Sequence, residues 1–162
     1  MLPANSLTSL PSKSPPVSLG KTRFPILLPV MLSQEPIEWP EEVEILIDQL
    51  ETDSTKRNLT RGERALMDIY ETVPVLQSDD CLHEFWQSGL NTQRIINSFE
   101  LIDATALVDP INASRWCETR TEDRNDYTNA ESNHLTSIEE ELEAGMEELV
   151  DLVLEFIENE LK

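Results

Sequence analysis

The stretch ESNHLTSIEEELEAGMEELVDLVLEFIENEL, residues 131–161, holds eleven carboxylates and no Lys or Arg, yet its apolar residues recur at helical spacing. Leu135, Ile138, Leu142, Met146, Leu149, Val153, Phe156 and Ile157 follow the i, i+3, i+4, i+7 pattern that lines one face of an α-helix. The spacing predicts one long amphipathic helix over roughly Leu135–Leu161. Five of its acids, Glu139, Glu143, Glu147, Asp151 and Glu155, lie four residues apart and so read as one row, rising about 6 Å per step. Like charges at that spacing repel by about 0.2–0.5 kcal/mol per pair. Interspersed Lys or Arg would gain that energy instead, so the row reads either as a surface for a cationic partner or as acid tolerated for solubility.

Upstream, the chain carries further helical stripes. Pro40 suits a first helical position, Glu41, Glu42 and Glu44 suit the positive end of a helix dipole, and Val43, Leu46, Ile47 and Leu50 form the apolar face. A loop over Thr52–Asn58 follows. Thr60 with Glu63 three residues on has the form of a capping box, opening a helix through Leu66, Ile69, Tyr70 and Val73 that should stop at Pro74. A short helix is expected over Asp80–Ser88, burying Leu82, Phe85 and Trp86 and ending at Gly89. Asn91 caps the next, with Ile95, Ile96, Phe99 and Ile102 buried. Pro110 fits either the first turn of a helix capped by Asp109 or a kink in one begun near Thr105. Trp116 should close this region against the core, and Glu118–Asn133, polar and aperiodic, reads as a long loop. No alternating strand pattern or internal repeat stands out, and only four glycines are present. The expected fold is all-α: a single domain over 35–162 of about five to six helices, the last long and acidic.

Residues 1–34 differ in composition. They are rich in Ser and Pro, hold three bases (Lys13, Lys21, Arg23) and no acid, and lack helical periodicity, so they read as a disordered tail. Met31 is an alternative start, in which case the residues before it belong to an overlong reading frame. From residue 31 onward nine bases face thirty-two acids, a net of −23. Such a charge disfavours direct binding to nucleic acid or anionic membranes, both of which need cationic surface. Three Trp, three Phe and regularly spaced Leu and Ile in this part of the chain argue for a folded acidic domain rather than a disordered tract. No apolar run reaches the ~20 residues of a membrane span. Cys81 and Cys117, 36 residues apart, form neither a zinc pattern nor a disulfide framework. A soluble, cytoplasmic protein is the expectation.

The sequence offers no catalytic site and no cofactor or metal motif. His83 lies two residues from Cys81, about 200° away on a helix, so Cys81 is expected in the core with His83 at the surface. His134 reads as a cap or loop residue. An EF-hand register from Asp123 fails, because Tyr127 stands at its fifth position, Thr128 at the sixth and His134 at the last. Neither histidine belongs to an inward Glu-x-x-His pair. There is no phosphate-binding glycine loop, HExxH or GxSxG. The expected protein is not an enzyme.

The stretch LHEFWQSGLNTQRIINSFELIDATALVDPINAS, followed by a polar gap and the acidic helix, resembles a bacterial family of domains of unknown function that includes a dimeric DNA-mimic protein. Phe85, Trp86, Ser88 and Gly89 carry the first element, Leu101, Ile102 and Ala104 the second, and Leu142 through Ile157 the third, over roughly residues 60–161. Two departures stand out: Cys81 and Leu82 replace paired glycines, and Asp103 stands where a turn glycine is usual. The resemblance implies an all-helical fold, a homodimer and, by analogy, DNA mimicry: Glu139, Glu143, Glu147, Asp151 and Glu155 presented to a cationic, DNA-binding protein. Two other readings stand beside it. One is an immunity-type or other interaction module using the same acids, and the other is an ordinary helical domain whose acidic face meets only water and counterions. Glu140, Glu141 and Glu148 could also be neutralised by Arg61, Arg64 or Arg94.

Overall fold

Pro40, with φ −58° and ψ 149°, brings an extended chain into the first helix. It is the N-cap of α1 (Glu41–Ser54), one position earlier than expected, and the helix runs three residues into the predicted loop. The structure, a computed structural model, describes residues 35–120 and 123–162. The tail expected over 1–34 lies outside the described residues. Those described belong to one unit, Gln34–Lys162, and contain helices and no strand, as the periodicities imply.

Val43, Ile47 and Leu50 bury one face of α1, with Leu46 half-buried beside them. Helix α2 (Arg61–Leu76) opens on the predicted capping box. Glu63 N–H donates to Thr60 Oγ1 at 3.2 Å, and Thr60 N–H donates to Glu63 Oε2 at 2.8 Å. Contrary to expectation α2 does not stop at Pro74 but continues to Leu76. So near the helix end, the missing N–H removes a single bond from the ladder. Helix α3 (Cys81–Gln87) follows an Asp80 held at φ 54°, and Gly89 at φ 79° turns the chain toward α4 (Thr92–Leu101). Asn91 Oδ1 accepts the Arg94 N–H at 3.1 Å to cap α4.

The ambiguity at Pro110 resolves toward the second alternative: α5 spans Thr105–Ala113 with Pro110 inside and buried. Asp103, at φ 63°, makes the turn into it. A proline at 110 has no N–H for the Ala106 carbonyl, its i−4 partner. Gly145 approaches at that same carbonyl: a Cβ there would stand 2.5 Å from Ala106 O and 2.9 Å from Ala106 C. This close approach seats α5 on α6 (Asn129–Gly145).

The expected loop Glu118–Asn133 is largely structured. Arg115–Thr119 and Arg124–Asp126 form 3₁₀ turns, and α6 begins at Asn129, six residues before the predicted start. Its N-terminus is a second capping box, with Glu131 N–H donating to Thr128 Oγ1 at 3.1 Å and Thr128 N–H donating to Glu131 Oε1 at 2.9 Å. The first turn carries no apolar residue except Ala130, so hydrophobic periodicity does not register it. The long final helix is also not uniform. Over 33 residues the helical run passes from α6 through a 3₁₀ turn at Met146–Glu148 into α7 (Leu149–Phe156) and a closing π-turn at Ile157–Leu161.

Helix α2 packs on α4, α5 on α6, and α3 on the Arg115–Thr119 turn. Phe85, Phe99, Ile69, Leu107, Leu142 and Leu149 are fully enclosed at their centre. Trp86 is buried as expected, and its Nε1–H donates to Ser114 Oγ at 2.8 Å, joining α3 to the end of α5. No helix among the described residues is long and apolar enough to cross a membrane.

Candidate protein-binding surface

Residues on an α-helix advance about 100° each, so an i, i+4 row winds about 40° per step and five members sweep about 160° around the axis. The acids of the C-terminal run follow that winding. Glu139 lies between Ile138 and Leu142 at the edge of the buried stripe and Glu143 is half-buried, whereas Glu147, Asp151 and Glu155 are exposed. The 3₁₀ turn adds about 20° per residue, because three residues complete its turn. The five predicted carboxylates are therefore not one straight row. Three of them face outward, in company with Glu140, Glu141 and Glu148, all exposed. Their exposure corrects the expectation from sequence that Glu140, Glu141 and Glu148 lie near the apolar stripe; for Glu140 the angular arithmetic agrees, since it and Glu147, seven residues apart, nearly eclipse each other.

Glu139 is engaged internally. Arg124 Nη1 donates to Glu139 Oε2 at 3.2 Å and to Asp80 Oδ1 at 2.9 Å, tying the Arg124–Asp126 turn to both α6 and the cap of α3. The Glu139 side chain is 18% exposed and that of Arg124 12%. Cys81 lies against the same carboxylate, its Sγ 3.8 Å from Glu139 Oε2. Burial first, and then the negative Glu139, push the Cys81 thiol up to about 12, so it stays protonated at neutral pH. Burial likewise raises Cys117, and both cysteines are buried and unpaired.

A second clamp lies at the start of α6. Arg120 donates to Glu131 at 2.7 and 3.3 Å while its guanidinium sits 4.4 Å from the Tyr127 ring. These hydrogen bonds, with the Thr128 N–H next in weight, hold the Glu131 carboxyl down at about 2. His83 is not a plain surface residue: it is half-buried, with Nδ1 2.8 Å from Tyr127 Oη. His134 is neither cap nor loop but sits inside α6, stacked on Trp116 with centroids 6.0 Å apart. Among the described residues no group of three His, Cys, Asp or Glu side chains is arranged to hold a metal ion.

The bases are mostly consumed elsewhere. Arg57 pairs with Asp53 and Glu63, Arg94 with Asp68, Arg115 with Glu118, Arg120 with Glu131, Arg124 with Asp80 and Glu139, and Lys162 with Glu158. The expected neutralisation of Glu140, Glu141 or Glu148 by Arg61, Arg64 or Arg94 is not observed among the described residues, and Arg94 goes to Asp68 instead. The surface made by Glu140, Glu141, Glu147, Glu148, Asp151 and Glu155 is thus exposed and carries no ion pair among the described residues. Glu42 also acts electrostatically on Lys162, which places the acidic first turn of α1 near the end of this run.

No family model matches the chain, and no curated protein or solved structure matches it.

Proposed function

We propose that this protein is a non-enzymatic acidic binding protein, DNA-mimic-like, whose C-terminal helices present carboxylates to the cationic groove of a DNA-binding protein. The observation that carries the reading is the exposed, unneutralised set Glu147, Asp151 and Glu155 with Glu140, Glu141 and Glu148, in a domain that uses most of its bases to pair other acids. Leaving these charges unpaired costs self-repulsion, which a cationic partner would convert into attraction.

The physics of such a contact is straightforward. Phosphates of each DNA strand advance about 3.4 Å along the axis, and carboxylates four residues apart on a helix advance about 6 Å. A side-chain set of that pitch meets several Arg or Lys of a DNA-binding groove at once. Arg forks pair with carboxylates as they do with phosphates. Long-range attraction accelerates encounter, and the affinity falls with salt as the charges are screened. The core-facing stripe behind the surface fixes the carboxylates on a rigid helical frame. Glu139 contributes to that frame rather than to the contact, because Arg124 holds it.

The test is capture by the immobilised full chain from extract of its own cells, with Glu147→Lys, Asp151→Lys and Glu155→Lys combined in one variant. Wild type should retain DNA-binding proteins and the variant should lose them at unchanged helicity. Equal retention by both removes this surface as the site.

A further inference from the structure

Between α2 and α4 lies a cleft of about 270 Å³ whose lining includes Arg61, Arg64 and Arg94. Arg94 is fixed from below. Its Nε and Nη2 donate to Asp68 Oδ2 and Oδ1 at 3.0 and 2.8 Å, and Ser98 Oγ donates to Oδ2 at 3.1 Å. Asp68 is only 4% exposed, so a buried carboxylate with three donors anchors a guanidinium whose side chain remains 49% exposed at the cleft.

Arg61 and Arg64, three residues apart in the first turn of α2, are exposed and form no ion pair among the described residues. Their isolation is notable in a chain with thirty-two acids. Glu63, between them in sequence, is turned to Arg57 at 2.8 Å, and its carboxylate together with Thr60 already caps α2. The helix end is therefore satisfied, and the cationic character of the cleft comes from side chains. Three Arg against Asp68 leave the lining with a formal charge of +2. Asn97 adds an amide, and Leu59 and Leu101 add apolar wall.

We propose that this cleft binds a small phosphate monoester. Guanidinium groups recognise oxyanions by paired N–H donors, and a formal +2 lining balances a phosphoryl dianion. Arginines carried on two helices suit the divergent oxygens of a tetrahedral group better than the single plane of a carboxylate. The apolar wall suits an organic substituent on the ester. The net-negative domain repels anions only over about a Debye length of 8 Å at physiological salt, so recognition rests on the short-range donors. This site is distinct from the carboxylate surface, and a negative result here leaves that reading untouched.

The experiment is a titration of the ¹⁵N-labelled full chain, followed by amide NMR at constant ionic strength, with phenyl phosphate and, separately, succinate. Saturable shifts confined to segments 59–68 and 94–101 are expected with phenyl phosphate. The affinity should fall about tenfold or more with succinate, and likewise in the double variant Arg61→Gln, Arg64→Gln, since each loses charge-assisted hydrogen bonds. Those arginines are exposed, so the variant should keep its helical circular dichroism. Shifts that do not saturate, affinity unchanged in the variant, or succinate binding as tightly as the ester would each overturn the assignment.

Discussion

Arg124 stands 3.2 Å from Glu139, and through the same nitrogen 2.9 Å from Asp80, so one guanidinium joins the acidic helix to the cap of α3. Removing it in Arg124→Met leaves Glu139 in a largely enclosed position beside Cys81. Hydrogen bonds to charged groups are worth about 1.5–3 kcal/mol, and a loss of about 1–2 kcal/mol in urea unfolding is expected for this partly screened pair. Glu139→Gln should leave capture of a cationic partner intact, because that carboxylate is already occupied.

Gly145 is required for space rather than for backbone freedom, since its φ of −68° is ordinary helix. In Gly145→Ala the new methyl would meet the Ala106 carbonyl at 2.5 Å, and backbone cannot swing aside as a side chain can. Forcing α5 away from α6 should cost about 1–3 kcal/mol, the range for overpacked sites. Urea midpoints of the two proteins measure it. A variant as stable as wild type would mean the two helices separate freely.

Asp103 holds φ at 63°, a conformation that costs a side-chain-bearing residue about 1–2 kcal/mol and glycine nothing. Part of that gain is offset by the greater entropy of glycine in the unfolded chain. Asp103→Gly should therefore raise the thermal midpoint modestly, and calorimetry checks the sign. Asp80, at φ 54°, should not respond in the same way, because the substitution there also removes the Arg124 contact.

The Glu131 carboxyl lies at about 2 in the folded protein against an ordinary value of 4.5, held there by Arg120 and the Thr128 N–H. A depressed folded value means that its contribution is complete above about 4.5 and is lost as pH falls toward 2. Glu131→Gln keeps the capping shape and deletes the charge. Thermal melts should show wild type the more stable at neutral pH, with the gap closing between pH 4.5 and 2. Glu63, lowered to about 2 by Arg57, moves in the same direction and adds to the acid sensitivity of wild type and variant alike.

The all-helical fold and most of the core were legible in the sequence, because burial imposes a 3.6-residue period on Ile95, Phe99, Leu142 or Val153 wherever a helix faces the interior. Thr60 with Glu63 was legible for a different reason, since a capping box has its own local spacing. The same spacing at Thr128 and Glu131 passed unread within a polar stretch. What periodicity misses is structure held by polar contacts: the turn at Arg124 is built on ion pairs to residues 44 and 15 positions away. The candidate surface was legible in kind and blurred in detail. Counting by fours selects acids that wind from the core edge at Glu139 to the open face at Asp151, and burial and ion pairing distinguish the two ends.

DNA competition is the most direct measurement of the proposed role. DNA-binding proteins captured from cell extract on the immobilised full chain should be released by short duplex DNA added at constant ionic strength, in proportion to its concentration, while an uncharged polymer releases none. Captured proteins that stay bound however much duplex is added would contradict mimicry, because a carboxylate surface standing in for phosphates must share its site with DNA.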